Sequence, residues 1–378
     1  MDTARPCSLD GPARFHTGAV TAMSMQRPTV TVLMAVYNGQ RYLSEAIESV
    51  LHQTYDDFEF IIVDDGSTDA SGDILRAYAA QDSRIALLRH EQNIGLTKSL
   101  NEGLSIAQGV YLARQDADDL SLPGRLEAQV TYLEAHPAVG LLGTAYSVIN
   151  GGGECLATYR HPQVSTEILW QMLFHNAFCH TSVMWCRNLV EMGGGWYDER
   201  LLYSQDYELW VRLMKSTAGA NLDLPLVAWR QHDANIDATS RIQQQDLANV
   251  IAWKQICGLL KDKVITQDQV RSLREWYWVL PSRLSASDLP TCRLYLNLLD
   301  AFGKQSRIDP SVLSRIRQSW VTRIFESVAI DRIGHAKAAG LIASLVKHDR
   351  WAVARSVSHR MVHTFRRTLR SQAWDVFG

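Results

Sequence analysis

Three carboxylates fall within four positions of the stretch "ARQDADDLSLPGR": Asp116, Asp118 and Asp119. They directly follow an apolar run, "GVYLA", that reads as a strand. Like charges this close raise one another's pKa values and cost stability unless something neutralises them. A bound cation would do so. Hard oxygen ligands suit Mg²⁺ or Mn²⁺, and an ion held by one or two carboxylates stays open to water and to substrate phosphates. The competing reading is a solvated acidic turn in which Asp119 caps the helix after Pro123.

Polar groups stand at comparable places elsewhere. In "VDDGSTD", Asp64 and Asp65 close a second apolar run, Gly66 to Thr68 supply a turn, and Asp69 sits where a carboxylate favours a helix dipole. "NIGLTKSLNEGL" brings Gly95 and Lys98 to a helix start suited to an anion, although an ordinary surface lysine fits equally well. "YSQDYELW" puts Asp206 in the first turn of a helix, as a cap or as a base. His232 in "WRQHDANID" follows a last strand, as a ligand or as a structural histidine.

The elements that must carry these groups follow from the apolar pattern. From Thr29 onward, "TVTVLMAVY", "FEFIIV", "IALLR" and "VYLA" read as strands separated by the amphipathic helices "RYLSEAIESVLHQ", "GDILRAYAAQ" and "TKSLNEGLSIAQG". That alternation predicts an α/β fold with a mostly parallel central sheet and flanking helices. Ligands of such sheets bind beyond the carboxyl ends of the strands, where the acidic clusters lie. No G-x-G-x-x-G follows the first strand and no P-loop is present, so neither a dinucleotide nor a P-loop phosphate site is expected. After Pro123 come the helix "GRLEAQVTYLEAH", the strands "AVGLLGTAYSVI", "HTSVMW" and "LVAWRQH", and the helix "SQDYELWVRLMK". From about residue 241 strand signals vanish. The expected organisation is a disordered extension over 1–27, with Met25 a candidate start, then an α/β domain over 28–240 and an α-helical region over 241–378.

Composition sets outer bounds. The 378 residues are 46% hydrophobic and 21% charged, enough for a full core and two domains, and a net charge of -2 gives no basic field for nucleic acid. Six scattered cysteines lack zinc-site spacing and read as reduced thiols of a cytoplasmic protein. No apolar run of about 18 residues suggests a membrane span. In "RWAVARSVSHRMVHTFRRTLRS", a helical wheel puts Trp351, Ala354, Val357, Met361, Phe365 and Leu369 opposite Arg355, Arg360, Arg366, Arg367 and Arg370. Such a helix either lies peripherally on the cytoplasmic face of an anionic membrane or packs its apolar face on the protein.

Taken in order, "TVLMAVYNGQRYLSEAIESVLHQTYDDFEFIIVDDGSTD", "NIGLTKSLNEGLSIAQGVYLARQDADD", "FCHTSVMWCR", "GGWYDERLLYSQDYELWVRL" and "WRQHDANID" resemble the inverting, family 2 glycosyltransferases of GT-A fold. The resemblance spans roughly residues 29–235. It implies transfer of a sugar from a nucleotide-diphosphate donor, with UDP favoured, to a hydroxyl of a saccharide or lipid-linked saccharide, in bacterial surface polysaccharide or glycan biosynthesis. "QDADD" matches the D-x-D motif, which implies that Asp118 binds Mg²⁺ or Mn²⁺, with His232 as a further ligand, and that Asp116 reaches the donor ribose or the metal's water shell. By the same resemblance Asp65, or Asp64 beside it, contacts the nucleotide with Ala35 and Tyr37 lining the same pocket, and Lys98 at its helix start and Arg114 beside the acidic cluster are further donor-binding candidates. Asn176, His180, Trp196 and Tyr197 would line the sugar cleft, the last two by stacking or as core. Asp206 would be the catalytic base, although Gln205 stands where the family usually has an acidic residue. A nucleotidyltransferase would need a Gly-rich basic loop after strand one, where "YNGQRY" stands. A processive synthase would need membrane spans and Q-x-x-R-W. An inactive binding module of the same fold is the non-enzyme alternative.

Overall fold

The computed structural model describes residues 27–193, 196–232, 238–261, 264–305, 307–328, 333 and 335–374. The expected extension over 1–27 therefore lies, but for Arg27, outside the described residues, as does the "DANID" part of the last motif.

The first four strands, β1 (Val30–Val36), β2 (Phe58–Asp64), β3 (Ile85–Arg89) and β4 (Tyr111–Asp116), are parallel in the order β3-β2-β1-β4. Alternation along β1 explains why helices cover both faces. Val30, Val32 and Met34 bury against α1 (Leu43–Leu51), α2 (Ser71–Gln81) and α4 (Arg125–Ala135). Leu33 turns the other way, towards α3 (Leu96–Ile106) and the later α7 (Gln205–Leu213). In α7, Leu209, Trp210 and Leu213 all face inward, as their spacing predicts.

Beyond β4 the sheet turns antiparallel at β8 (Met184–Cys186), then continues through β6 (Val139–Ile149), β9 (Ala218–Arg230) and the two-residue β5 (Leu120–Ser121), with β7 (Cys155–Tyr159) paired on β6. β5, β7 and the helix α5 (Ser165–Met172) were not expected from the pattern. "HTSVMW" splits into a 3-10 turn at His180–Ser182 and β8. β9 starts well before "LVAWRQH" because its pairing to β6 skips from Leu222 to Pro225, and an irregularity of that kind tolerates proline inside a strand.

The C-terminal region is helical as expected: α8 (Ala238–Leu260), α9 (Gln267–Trp278), α10 (Leu289–Phe302), α11 (Pro310–Glu326) and α12 (His335–Trp374), the last broken at Asp349. After α6 (Asn188–Gly193) and α7, this region packs around aromatic rings that the α/β part supplies. Trp170 of α5 meets Tyr295 at 5.6 Å and Phe302 at 5.1 Å, and Phe174 stacks on Tyr295 at 5.4 Å. No described helix is long and apolar enough to cross a membrane. In α12, Ala352, Val353 and Ser356 are buried whereas Trp351 is 65% exposed. Side chains from residue 358 onward, and with them most of the predicted basic face, lie outside the described residues.

Two half-buried histidines set an acid limit on stability. His175 donates through Nε2 to the Arg274 carbonyl at 2.7 Å, and burial lowers its pKa to about 4, as it does for His161. Both stay neutral in the folded chain and take up a proton on unfolding. Stability should therefore fall as pH drops from 6.5 towards 4, each histidine contributing up to about 1.4 kcal/mol per pH unit. Thermal melts across this range should show a slope that flattens in a His175→Asn variant. An unchanged slope would contradict the assignment.

Candidate active site

Strand register brings the first polar groups together. Ala35 pairs with Asp116 across β1 and β4, and Val36 pairs with Asp64 across β1 and β2, so both aspartates emerge at one end of the sheet. Tyr37, the next residue, is 52% exposed there. Asp116 accepts from the Arg114 guanidinium, and its own N–H donates to Thr181 Oγ1 at 3.2 Å. Arg114 is fully buried, its Nη1 donating to the Leu33 and Gln115 carbonyls. It cannot touch a donor as the sequence suggested, and instead fixes Asp116.

Asp118 Oδ2 lies 3.0 Å from His232 Nε2, across 114 residues of chain. Burial, then the neighbouring Asp116 charge, raise the Asp118 pKa, while the His232 contact opposes them. Arg230, at the end of β9, locks this loop from behind. Its Nε donates to the Asp118 carbonyl at 2.9 Å, its backbone N–H to Asp119 Oδ1 at 2.7 Å, and its far nitrogen to Glu45 at 2.7 Å. Asp119 is thus not the helix cap expected of it: Gly124 stands at the N-cap of α4 without any side-chain cap, and Asp119 is buried in a long-range bond to β9 instead. Tyr42 lies between the Arg230 guanidinium, 4.4 Å from its ring centroid, and the His232 ring at 5.0 Å. Arg125, also fully buried, donates to Ser121 Oγ at 2.7 Å and the Arg114 carbonyl at 2.9 Å, and desolvation lowers its pKa to about 10. Three buried arginines therefore offset the crowded carboxylates.

On the neighbouring loop Asp65 is buried and fully engaged. It accepts the N–H groups of Ile94 and Gly95 at 2.9 Å each and faces His90 Nδ1 at 2.9 Å. His90 reaches Glu102 with its other nitrogen at 2.8 Å. Burial alone would lower the His90 pKa, but the two carboxylates hold it above the usual value. Asp64 takes the Ser67 N–H at 3.0 Å, with Arg89 at 3.4 Å from its second oxygen. Gly66 has φ +72°, and a Cβ there would sit 2.4 Å from the Gln92 carbonyl carbon, so only glycine lets the two loops meet. Asp69 accepts from the Ser71 N–H at 2.9 Å, the helix-start role read for it. Lys98 is exposed in the first turn of α3. His90 was missed by sequence reading, although it follows β3 at the ligand end of the sheet.

Asp206 occupies the first turn of α7, after Ser204 in the left-handed region at φ 55°. Its Oδ2 accepts from Asn176 Nδ2 at 2.8 Å, while Asn176 Oδ1 takes the Phe178 N–H at 3.1 Å, which fixes the amide's orientation. His180 lies within electrostatic reach of both Asp206 and Asp116. Burial, then Arg114, lower the His180 pKa, and its Nε2 lies 3.0 Å from the Tyr197 hydroxyl. Tyr197 is 2% exposed and clamped on both sides of its backbone by Asn101 at 2.9 Å, so it belongs to the core and not to a stacking surface. Trp196 beside it is 42% exposed. Gln205 is buried.

Among the described residues no set of three or more His, Cys, Asp or Glu side chains surrounds a cation position. The Asp118–His232 pair still fits an octahedral Mg²⁺ or Mn²⁺ that takes most of its oxygens from water and substrate phosphate. An α/β sheet with acidic strand ends and a carboxylate at the start of α7 is the arrangement that the resemblance to GT-A glycosyltransferases implies. The comparisons with known proteins agree, the profile described as "Glycosyl transferase family 2" matching residues 31–189. The chain is 36% identical over 241 residues to "Putative glycosyltransferase EpsE" of Bacillus subtilis, covering 62% of this chain and 84% of that protein. It is 31% identical over 214 residues to "O-antigen biosynthesis glycosyltransferase WbnJ" of Escherichia coli, covering 54% and 80%. Among solved structures, S. aureus TarS 1-349 in complex with UDP-GlcNAc superposes with a TM-score of 0.51 at 15% identity, covering 85% of this chain and 91% of that one. The chain belongs to glycosyltransferase family 2.

Proposed function

We propose that this glycosyltransferase is metal-dependent and inverting, moving a sugar from a nucleotide diphosphate to a hydroxyl of a saccharide or lipid-linked acceptor in a single displacement. The observation that carries the reading is the Asp206 carboxylate, held by Asn176 in the first turn of α7. A carboxylate fixed by one amide keeps its second oxygen for the acceptor proton, the geometry that general-base catalysis asks for. Asp118 and His232 would hold Mg²⁺ or Mn²⁺, which when bound offsets negative charge on the diphosphate. Asp116, steadied by Arg114, would reach the ribose or metal-bound water. Ala35, Tyr37 and Asp64 would border the nucleotide, with Lys98 at the rim. Asp65, whose oxygens already serve the 94–95 backbone, would shape that border more than touch it. Asn176 and His180 would line the sugar cleft, with exposed Trp196 available for stacking.

UDP-sugars are the first donors to try, since the TarS fragment of the same fold was solved with UDP-GlcNAc. The O-antigen role in the name of WbnJ supports a place in polysaccharide biosynthesis. The division into a catalytic part over 28–240 and a helical part over 241–378 is part of this reading, as is peripheral membrane contact through the C-terminal helix. A panel of nucleotide sugars with Mn²⁺, Mg²⁺ or EDTA, scored for nucleoside diphosphate release, tests it. Release should occur with a UDP-sugar and stop in EDTA; full activity in EDTA would contradict the metal assignment.

A further inference from the structure

A second cleft, of ≈ 1190 Å³, opens between α5, α7, α8 and α10, away from the acidic strand ends. Its floor is aliphatic and aromatic, with Val211, Met214, Val250, Ile251, Leu259 and Phe302 among the lining residues. Four exposed lysines stand over it: Lys215, Lys254, Lys261 and Lys304. None of the four has a carboxylate within ion-pair distance among the described residues. The acids of the cleft have partners of their own: Asp198 with Arg200 at 2.7 Å, Glu208 with Arg212 at 2.6 Å, and Asp300 with Arg317 at 3.9 Å and His348 at 3.2 Å.

Uncompensated cations over an apolar floor match one chemistry, an anionic head on an apolar chain. An extended acidic peptide fits poorly. The walls are helices whose N–H and C=O groups are used internally, so there is no strand edge for a peptide to join. The location adds the functional link. Glu208, two residues beyond Asp206 on α7, lines the cleft, and since side chains two apart on a helix point to opposite faces, the cleft and the proposed base flank α7, separated by about the 10–12 Å thickness of one helix.

We propose that this cleft seats the lipid phosphate of a lipid-linked acceptor, with the apolar chain on the floor and the phosphate among the four lysines. The role as acceptor rests on the transferase reading of Asp206, whereas binding itself does not. The test uses the full chain and a soluble probe, farnesyl phosphate, titrated by calorimetry beside farnesol and inorganic phosphate. Farnesyl phosphate should bind saturably, and each of the other two at least about tenfold more weakly, since head and chain both contribute. Reversing two charges in Lys254→Glu/Lys261→Glu should weaken binding at least about tenfold with an unchanged melting temperature. Val250→Gln, which alters only the floor, should weaken farnesyl phosphate without introducing a charge.

The proposal is overturned if the lysine variant binds with wild-type affinity, or if inorganic phosphate binds as tightly as farnesyl phosphate. Asp206→Asn separates the two readings. Retained binding with lost sugar transfer supports both. Retained binding with wild-type transfer removes the base assignment and leaves the cleft standing.

Discussion

Asp206→Asn should lower turnover by about 10³-fold while leaving donor and metal binding within about twofold of wild type, the loss lying within the range for removing a general base. The substitution keeps the side chain's shape and its place in the first turn of α7, so packing around Leu209 and Trp210 is untouched. What changes is the ability to accept a proton. The loss corresponds to about 4 kcal/mol of transition-state stabilisation. Asn176 Nδ2 would still find an oxygen at the new amide, because the Phe178 N–H keeps its orientation. Measuring kcat at saturating donor, with nucleotide affinity by titration, checks this. Wild-type kcat would assign the base elsewhere.

Asp118→Ala should act differently. Removing this carboxylate takes away one of the two proposed protein ligands, so the metal concentration needed for half-maximal activity should rise, and kcat/KM should fall by about 10²- to 10³-fold, in line with the several kcal/mol that metal charge neutralisation supplies. Loop geometry should persist, since Arg230 grips the Asp118 backbone carbonyl and the Asp119 side chain. High Mn²⁺ should therefore restore part of the activity, with His232 and phosphate oxygens remaining as ligands. A metal-activation curve identical to wild type would contradict the assignment.

The strand ends were readable because their information is local. Continuous β-branched runs followed by turn residues put Asp64, Asp116 and Asp118 at the ligand edge without any knowledge of long-range contacts. What escaped depended on partners far along the chain. Asp119 reads as a cap because Pro123 and a helix follow, yet its partner is the Arg230 backbone, 111 residues away. Arg114 reads as a donor contact and Arg125 and Arg230 carry no sequence signal, and only the folded sheet shows that all three are buried beside the acidic loop. Tyr197 sits next to an exposed tryptophan in sequence, but Asn101 turns its ring inward. The lysine-rimmed cleft has no sequence signature, since α5, α7, α8 and α10 build it jointly.

This also resolves the crowding of carboxylates in "ARQDADDLSLPGR". Arg114 holds Asp116, Arg230 holds Asp119, and Asp118 is left with the His232 imidazole and a raised pKa. Of the three it is the one best placed to exchange its partner for a cation.

Single displacement with Asp206 as base has one direct readout, the anomeric configuration of the newly formed glycosidic bond, determined by proton NMR on product made from a donor of known configuration. The account predicts inversion. Retention would contradict it, because attack by the acceptor oxygen from the face opposite the leaving diphosphate, with Asp206 taking its proton, must invert the anomeric centre.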